Sequence, residues 1–388
     1  MHFARISGKL CLRREQPNVT DDEPSITPTL VDAIPPPVKR PALLRATAAE
    51  VVGAGMRVAG LSVVERSIRQ MDRMGLSIVV ASDGSCTLPK YLPPSVILRK
   101  VPRPDDLVAL RNELLGAVEI GANEVRPSNR SLDGGMKVVD EASRKKAESA
   151  IFAELLRGDL GFVARYLNKP VSFFITRHFL CHLPFSPNHV TLGAAAVGLV
   201  GAALIASGSY SLMIWGFFLA HVQSILDGCD GELARVRFQQ SALGEWLDTM
   251  VDDGLNIVIF AALGIGLYRG GGSPLLLCAG LAASVLHLVY DAVALTEIRR
   301  QGEGGEIIKV RWRIAGRDNM KTRLTQKRSS PMILVYSLGR RDFFVLAFLV
   351  YALLGLANLA LIHALIIAGP LCVIALVQAL WRLRGSPE

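Results

Sequence analysis

No two of the six cysteines (Cys11, Cys86, Cys181, Cys229, Cys278 and Cys372) stand in a C-x-x-C spacing, so the sequence offers neither a disulfide framework nor a zinc site. An apolar leader is lacking too. Met1 to Glu15 carries charges around no apolar core, so no secretory signal is expected. No long apolar run appears before about residue 190, which predicts that the amino-terminal half stays in the cytoplasm. Acidic charge is in short supply: 34 Asp and Glu face 43 Lys and Arg, a net charge of +9. Such an excess suits nucleic acid in general. Here much of it flanks apolar segments, as membrane topology requires, so no nucleic-acid partner is expected.

What the chain has in plenty is apolar residues. They make up 51% of 388 positions, with a mean hydropathy of +0.35, too apolar for an ordinary soluble protein. Residues 1–185 are mixed and charged, whereas 190–383 are mostly apolar, which separates a soluble part from a membrane part. Residues 1–43, with Pro35-Pro36-Pro37, read as a flexible leader. Residues 44–135 read as a small α/β unit: helical spacing over Leu61–Met74, a buried strand over Leu76–Ala81 and a helix over Asp105–Ile120. Residues 136–185 read as a linker with amphipathic juxtamembrane helices. In it, Val138–Leu156 is charged and helical, and Leu160–Leu183 mixes Phe162, Tyr166, Phe174 and Phe179 with Arg165, Lys169 and Arg177. Two readings of the latter stay open, a helix along the membrane surface and a core helix of the soluble unit.

Residues 186–388 accommodate six spans, at about 189–208, 211–229, 244–267, 273–295, 343–357 and 360–381. The loops orient them. The stretch 297–341 holds twelve Lys or Arg, Arg235 and Arg237 follow the second span, and Arg382 and Arg384 follow the last. The opposite loops carry almost no charge. By the positive-inside rule, both termini and the 227–252 segment face the cytoplasm of a multi-pass protein of the cell inner membrane.

That segment reads DGCDGELARVRFQQSALGEWLDTMVD. Asp227 and Asp230 are three apart, and Asp248 and Asp252 four apart, so on helices each pair shares a face. A carboxylate near lipid costs about 2.5–3.5 kcal/mol on insertion scales, and facing pairs repel. Divalent cations between the pairs would remove both penalties, and hard oxygen donors suit Mg²⁺, Mn²⁺ or Ca²⁺. A cation transporter would also use intramembrane acids. It has no use for Gly231, Ala234, Arg235 and Gly244 at fixed gaps.

The run fills every fixed position of D-x2-D-G-x2-A-R-x8-G-x3-D-x3-D and so resembles the CDP-alcohol phosphotransferase family. The resemblance implies a mainly α fold, a six-helix transmembrane bundle, here with a small cytoplasmic α/β nucleotidyltransferase-like domain. It implies a Mg²⁺- or Mn²⁺-dependent attack of an acceptor hydroxyl on a CDP-alcohol donor, with release of CMP. Asp227, Asp230, Asp248 and Asp252 would hold metal, and Asp252 would be the catalytic base, although spacing alone does not separate it from Asp248. Asp227, Gly231, Ala234, Arg235 and Gly244 would form the CDP site. Tight helix packing is an equal reading for Gly244 and Ala234 taken singly. Asn188 and Thr191, in a weaker P-N-x-x-T element, either cap the first span or line the nucleotide site. Arg340 and Arg341 either bind an acceptor phosphate or merely flank a span. Lys327 and Arg328 are weaker acceptor candidates. His287 and Asp291, four apart, read as a structural pair and not as catalytic residues. A homodimer is the family expectation.

Val58-Ala59-Gly60-Leu61, with the following Glu65 and Arg66, resembles sugar-phosphate nucleotidyltransferases, most of all the cytidylyltransferase half of bifunctional inositol-1-phosphate cytidylyltransferase/di-myo-inositol phosphate phosphate synthases. Gly53-Ala54-Gly55-Met56-Arg57 runs straight into Val58, without the intervening lysine block of that family, so this domain is expected to be degenerate. The acceptor is therefore expected to be inositol-phosphate-related. The alternative is a phospholipid synthase using CDP-diacylglycerol, of the phosphatidylinositol phosphate synthase kind.

Overall fold

The computed structural model describes residues 41–47, 54–90, 92–114, 117–127, 135–156, 161–301, 310, 312 and 339–383. Most of the expected leader, most of the basic 297–341 stretch, Lys327, Arg328 and Arg384 lie outside the described residues. The described residues all belong to one compact unit.

Its amino-terminal portion is built on a four-stranded parallel sheet. The strands are β1 (Pro41–Ala46), β4 (Ser77–Ser82), β5 (Val96–Lys100) and β6 (Val118–Gly121), in the order β5-β4-β1-β6. Two-residue ribbons, β2 (Arg57–Val58) with β3 (Leu61–Ser62) and β7 (Glu124–Val125) with β8 (Met136–Lys137), lie outside it. β1 starts inside the stretch read as leader. It is buried on both faces, as the unbroken apolar run of a central parallel strand requires. Leu44, Ile78, Val80 and Ile120 pack under Val64, Ile68 and Met71 of α1 (Val63–Arg73). Leu43, Val79 and Ala81 pack under Leu110 of α2 (Pro104–Glu113) on the other face. The helix expected to run to Ile120 therefore stops at Glu113. Pairing beside β1 gives Val118–Gly121 backbone partners and buries Ile120, which local helical pattern did not foresee.

After α3 (Glu141–Leu155), a wide π-type turn over Ala164–Asn168 leads into α4 (Lys169–His178). Its polarity is inverted for a soluble core helix. Phe162, Tyr166, Phe174 and Phe179 are exposed, while Ser172 and Thr176 are buried.

The bundle follows as α5 (Pro187–Ile205), α6 (Tyr210–Arg237), α7 (Ala242–Arg269), α8 (Pro274–Gln301), α9 (Arg341–Leu353) and α10 (Ala357–Leu383). Among the described residues five of these, all but α9, are long and apolar enough to cross a membrane. The fifth expected span, 343–357, is the 13-residue α9, about 20 Å long against a hydrocarbon core of about 30 Å. It packs on α6 and α10 through Phe344, Val345 and Phe348. Small residues bring the long helices together. A Cβ on Gly280 would stand 2.5 Å from the Gly264 Cα, and one on Gly201 would stand 2.8 Å from the Gly216 carbonyl oxygen. α8 therefore meets α7, and α5 meets α6, at near-backbone contact.

Candidate metal and nucleotide site

α6 is 28 residues long, about 42 Å, longer than a hydrocarbon core of about 30 Å, and carries the motif toward its carboxyl end. It ends at Phe238, whose left-handed φ of 57° turns the chain, and Gln239 N donates to the Ala234 carbonyl at 2.8 Å. Ser241 then caps α7, its Oγ accepting from Gly244 N at 3.0 Å. This short reversal sets Asp227 and Asp230 on one helix against Asp248 and Asp252 on the next. The charged residues read as a loop after the second span, Arg235 and Arg237, are thus still helical. α5 packs against both motif helices, with Gly198 fitting between Gln223 and Leu255.

Carboxylate oxygens of Asp227, Asp230 and Asp248 lie within 4.8 Å of one another. Asp227 Oδ1 is buried without a hydrogen-bond partner. Asp230 accepts from the Thr191 hydroxyl and from Gly231 N, which fixes its rotamer. An orphaned buried oxygen among three converging hard donors is what a divalent cation would satisfy, so the residues fit a Mg²⁺-type ion. Asp252 stands beside this trio. It is held by Arg341, whose Nη2 donates to Gln223 Oε1 at 2.6 Å and whose Nη1 is 4.0 Å from Asp227.

A cleft of about 170 Å³ opens next to the acids. It is lined by Asn188, Thr191, Asp230, Gly231, Ala234, Arg235, Gly244 and Asp248, together with the Gln239–Ser241 turn. Every residue expected in the CDP site apart from Asp227 is on its wall. A Cβ on Gly231 would stand 3.3 Å from Arg235 Nη2, and one on Gly244 would stand 3.3 Å from Asn188 Oδ1. Both glycines therefore widen this cleft. The cap of α5 is Ser186, whose Oγ accepts from His189 N at 3.4 Å, so capping does not account for Asn188 and Thr191.

The two arginines read as one acceptor element separate. Arg341 reaches the acids, whereas Arg340 pairs with Asp342 at 3.1 Å beside Gly161. Glu232, a variable position of the motif, escaped the sequence reading. It is fully buried and receives Lys169 Nζ at 2.7 Å, Ser172 Oγ at 2.5 Å and Thr176 Oγ1 at 2.8 Å. These bonds fasten α4 to α6 and explain why the polar face of α4 points inward. Gln223 was missed as well, since a lone glutamine in an apolar span carries no spacing signal.

The described residues thus combine a bundle of long apolar helices with an acid trio beside a glycine-walled cleft. The family model for CDP-alcohol phosphatidyltransferase matches residues 185–381, half of the chain, and the chain belongs to that family. Proteins named bifunctional IPC transferase and DIPP synthase are similar to it. That of Rubrobacter xylanophilus is 36% identical over 137 residues, 35% of this chain and 30% of the relative. That of Aquifex aeolicus is 28% identical over 230 residues, 58% of this chain and 45% of the relative. That of Thermococcus kodakarensis is 36% identical over 92 residues, 24% of this chain and 20% of the relative. The chain matches less than half the length of each of these relatives. With five apolar helices and this family membership, the protein is integral to a membrane.

Proposed function

We propose that the protein transfers a substituted phosphate from a CDP-alcohol to an acceptor hydroxyl, releasing CMP, and that the acceptor is inositol-phosphate-related, as in di-myo-inositol phosphate phosphate synthases. The observation that carries this reading is the convergence of the acid trio with the cleft walled by Gly231, Ala234, Arg235 and Gly244.

Asp227, Asp230 and Asp248 would hold Mg²⁺ or Mn²⁺, with Asp252 available as a further ligand. When bound, the ion neutralises pyrophosphate charge. Asn188, Thr191 and the two glycines shape the cytidine and phosphate pocket, and Arg235 presents a planar cation to the phosphates. Asp252 takes the proton of the acceptor hydroxyl. The acceptor oxygen bonds to the β-phosphorus, the bond from that phosphorus to the bridging oxygen breaks, and CMP leaves with the bridging oxygen. Arg341, already beside Asp252, is the acceptor-phosphate ligand. Arg340, tied to Asp342, positions the start of α9.

α9 serves as the sixth, short element of the bundle. The motif end and both termini face the cytoplasm, and Phe174 of α4, with Phe162 and Phe179 on either side of it, rests on the lipid surface. The sheet portion is a reduced nucleotidyltransferase-like domain that scaffolds the bundle. Arg57 supports this role, since its Nη2 closes on the Gly60 carbonyl at 2.8 Å within its own turn. The working unit is a homodimer.

CMP release measured over a panel of CDP-alcohols and acceptors, with and without Mg²⁺, tests the proposal. Metal-dependent CMP release with a water-soluble product from CDP-inositol and inositol phosphate is expected. An organic-soluble product formed from CDP-diacylglycerol alone would replace the donor assignment. No CMP from any donor would end the reading.

A further inference from the structure

We propose a second cation site, apart from the aspartate motif, formed by Asp253 of α7 with His287 and Asp291 of α8. One donor atom from each lies within 4.8 Å of the others. His287 Nε2 is 3.8 Å from Asp291 Oδ1 and 4.0 Å from Asp253 Oδ1. These gaps are too wide for hydrogen bonds. They match two donors on one cation, which at about 2.1 Å each stand at most about 4.2 Å apart.

Two of the three side chains are buried and unsatisfied, and that of Asp253 is 24% exposed. His287 and Asp291 are 4% and 5% exposed. Both imidazole nitrogens and both Asp291 carboxylate oxygens are buried without a hydrogen-bond partner. The Phe260 ring centroid is 5.6 Å from that of His287, and Tyr290 stacks on Trp312 at 5.8 Å nearby. The buried Asp291 carboxylate, with that of Asp253 at its edge, calls for a positive partner. A divalent cation would neutralise both and occupy His287 Nε2 at once. One imidazole with two carboxylates selects a transition dication of the Mn²⁺ to Zn²⁺ range over Mg²⁺.

The geometry also separates this site from the cleft. Asp253 follows Asp252, and consecutive helical residues point in different directions, so Asp252 meets Arg341 while Asp253 meets α8. The bound ion would staple α7 to α8 and fix the rotation of the helix that carries Asp248 and Asp252. The site stands whether or not the phosphotransferase reading does.

The test uses the full chain in detergent, stripped with chelator and reloaded with Co²⁺ as the probe. Asp227→Asn with Asp248→Asn removes competition from the motif trio. About one Co²⁺ per chain is expected in that variant, with a visible d–d band and a raised Tm, insensitive to excess Mg²⁺. Adding His287→Gln, or separately the near-isosteric Asp291→Asn, should return bound Co²⁺ to background in a chain that stays monodisperse. If the His287 variant does not fold, the Asp291 variant decides alone. No Co²⁺ in the motif-depleted chain, or full occupancy after the added substitutions, overturns the proposal.

Discussion

The Arg341 guanidinium joins the Asp252 carboxylate through Nη1 while its Nη2 holds Gln223 Oε1. The pair is mostly buried, with the Arg341 side chain 13% and that of Asp252 25% exposed. A cation held in this way beside the proposed base restrains the carboxylate. Arg341→Gln should lower kcat/KM for the acceptor about 10- to 100-fold, the worth of one charged hydrogen bond. The KM for the CDP-alcohol should change far less. Arg341→Lys should fall between, since it keeps charge but loses the fork. Steady-state kinetics with each substrate varied in turn reads this out. Equal losses on donor and acceptor would remove the acceptor assignment.

Asp252→Asn separates the base from the metal ligands. The amide preserves an oxygen for Arg341 but accepts no proton. Turnover should fall about 10²- to 10⁴-fold while donor affinity holds. Asp248→Asn should instead weaken metal-dependent donor binding. Calorimetry with the CDP-alcohol, beside CMP release, distinguishes the two, and normal turnover by Asp252→Asn would move the base elsewhere.

Arg66 ties the sheet portion to the motif helix. It is 1% exposed and donates to the Val58 carbonyl at 3.1 Å and to the Val236 carbonyl at 2.9 Å. Arg69 adds a bond to the Arg237 carbonyl at 3.1 Å. Cations at a helix carboxyl end are favourable, although burial draws the Arg66 pKa down to about 10. Arg66→Ala leaves two carbonyls without this donor, at about 1–3 kcal/mol each. A Tm several degrees lower in detergent is expected, with Arg66→Met no better. An unchanged Tm would show that the sheet portion does not brace α6.

Cys181 is 2% exposed, and burial pushes its thiol from 9.0 up to about 11. In the folded chain it should resist maleimide at pH 8 and react only on unfolding. The folded pKa lies above the unfolded one. The unfolded chain therefore ionises first as pH passes 9, and stability is lost between about pH 9 and 11. Cys181→Ala should shrink that loss in thermal scans at pH 8 and pH 10.5. A slope identical to that of the parent would contradict the burial argument.

The motif was legible because its chemistry is written in spacing: acids three and four apart, with small residues between. Five of the long helices were legible from sustained apolar runs. What was hidden depended on tertiary partners. Arg340 and Arg341 look alike in sequence, yet consecutive positions on a helix diverge, so one reaches Asp252 and the other Asp342. Glu232 is one charge among several in an ionic stretch, and only packing against Ser172 and Thr176 reveals its burial. Leu160–Leu183 showed its amphipathy but not which face turns inward. Helical pattern ran through Val118–Gly121 because pairing with β1 leaves no local trace. Asp253, distant in sequence from His287 and Asp291, became their neighbour only when α7 and α8 closed on Gly264 and Gly280.

The central claim is that Asp227, Asp230 and Asp248 grip a cation that clamps a cytidine diphosphate ester. Crystals soaked with Mn²⁺ and a CDP-alcohol, measured at the manganese absorption edge, test it most directly. An anomalous peak is expected among those three carboxylates, in contact with the diphosphate, with cytidine against Gly231 and Gly244. Nucleotide bound in the cleft with no peak between the aspartates would contradict it.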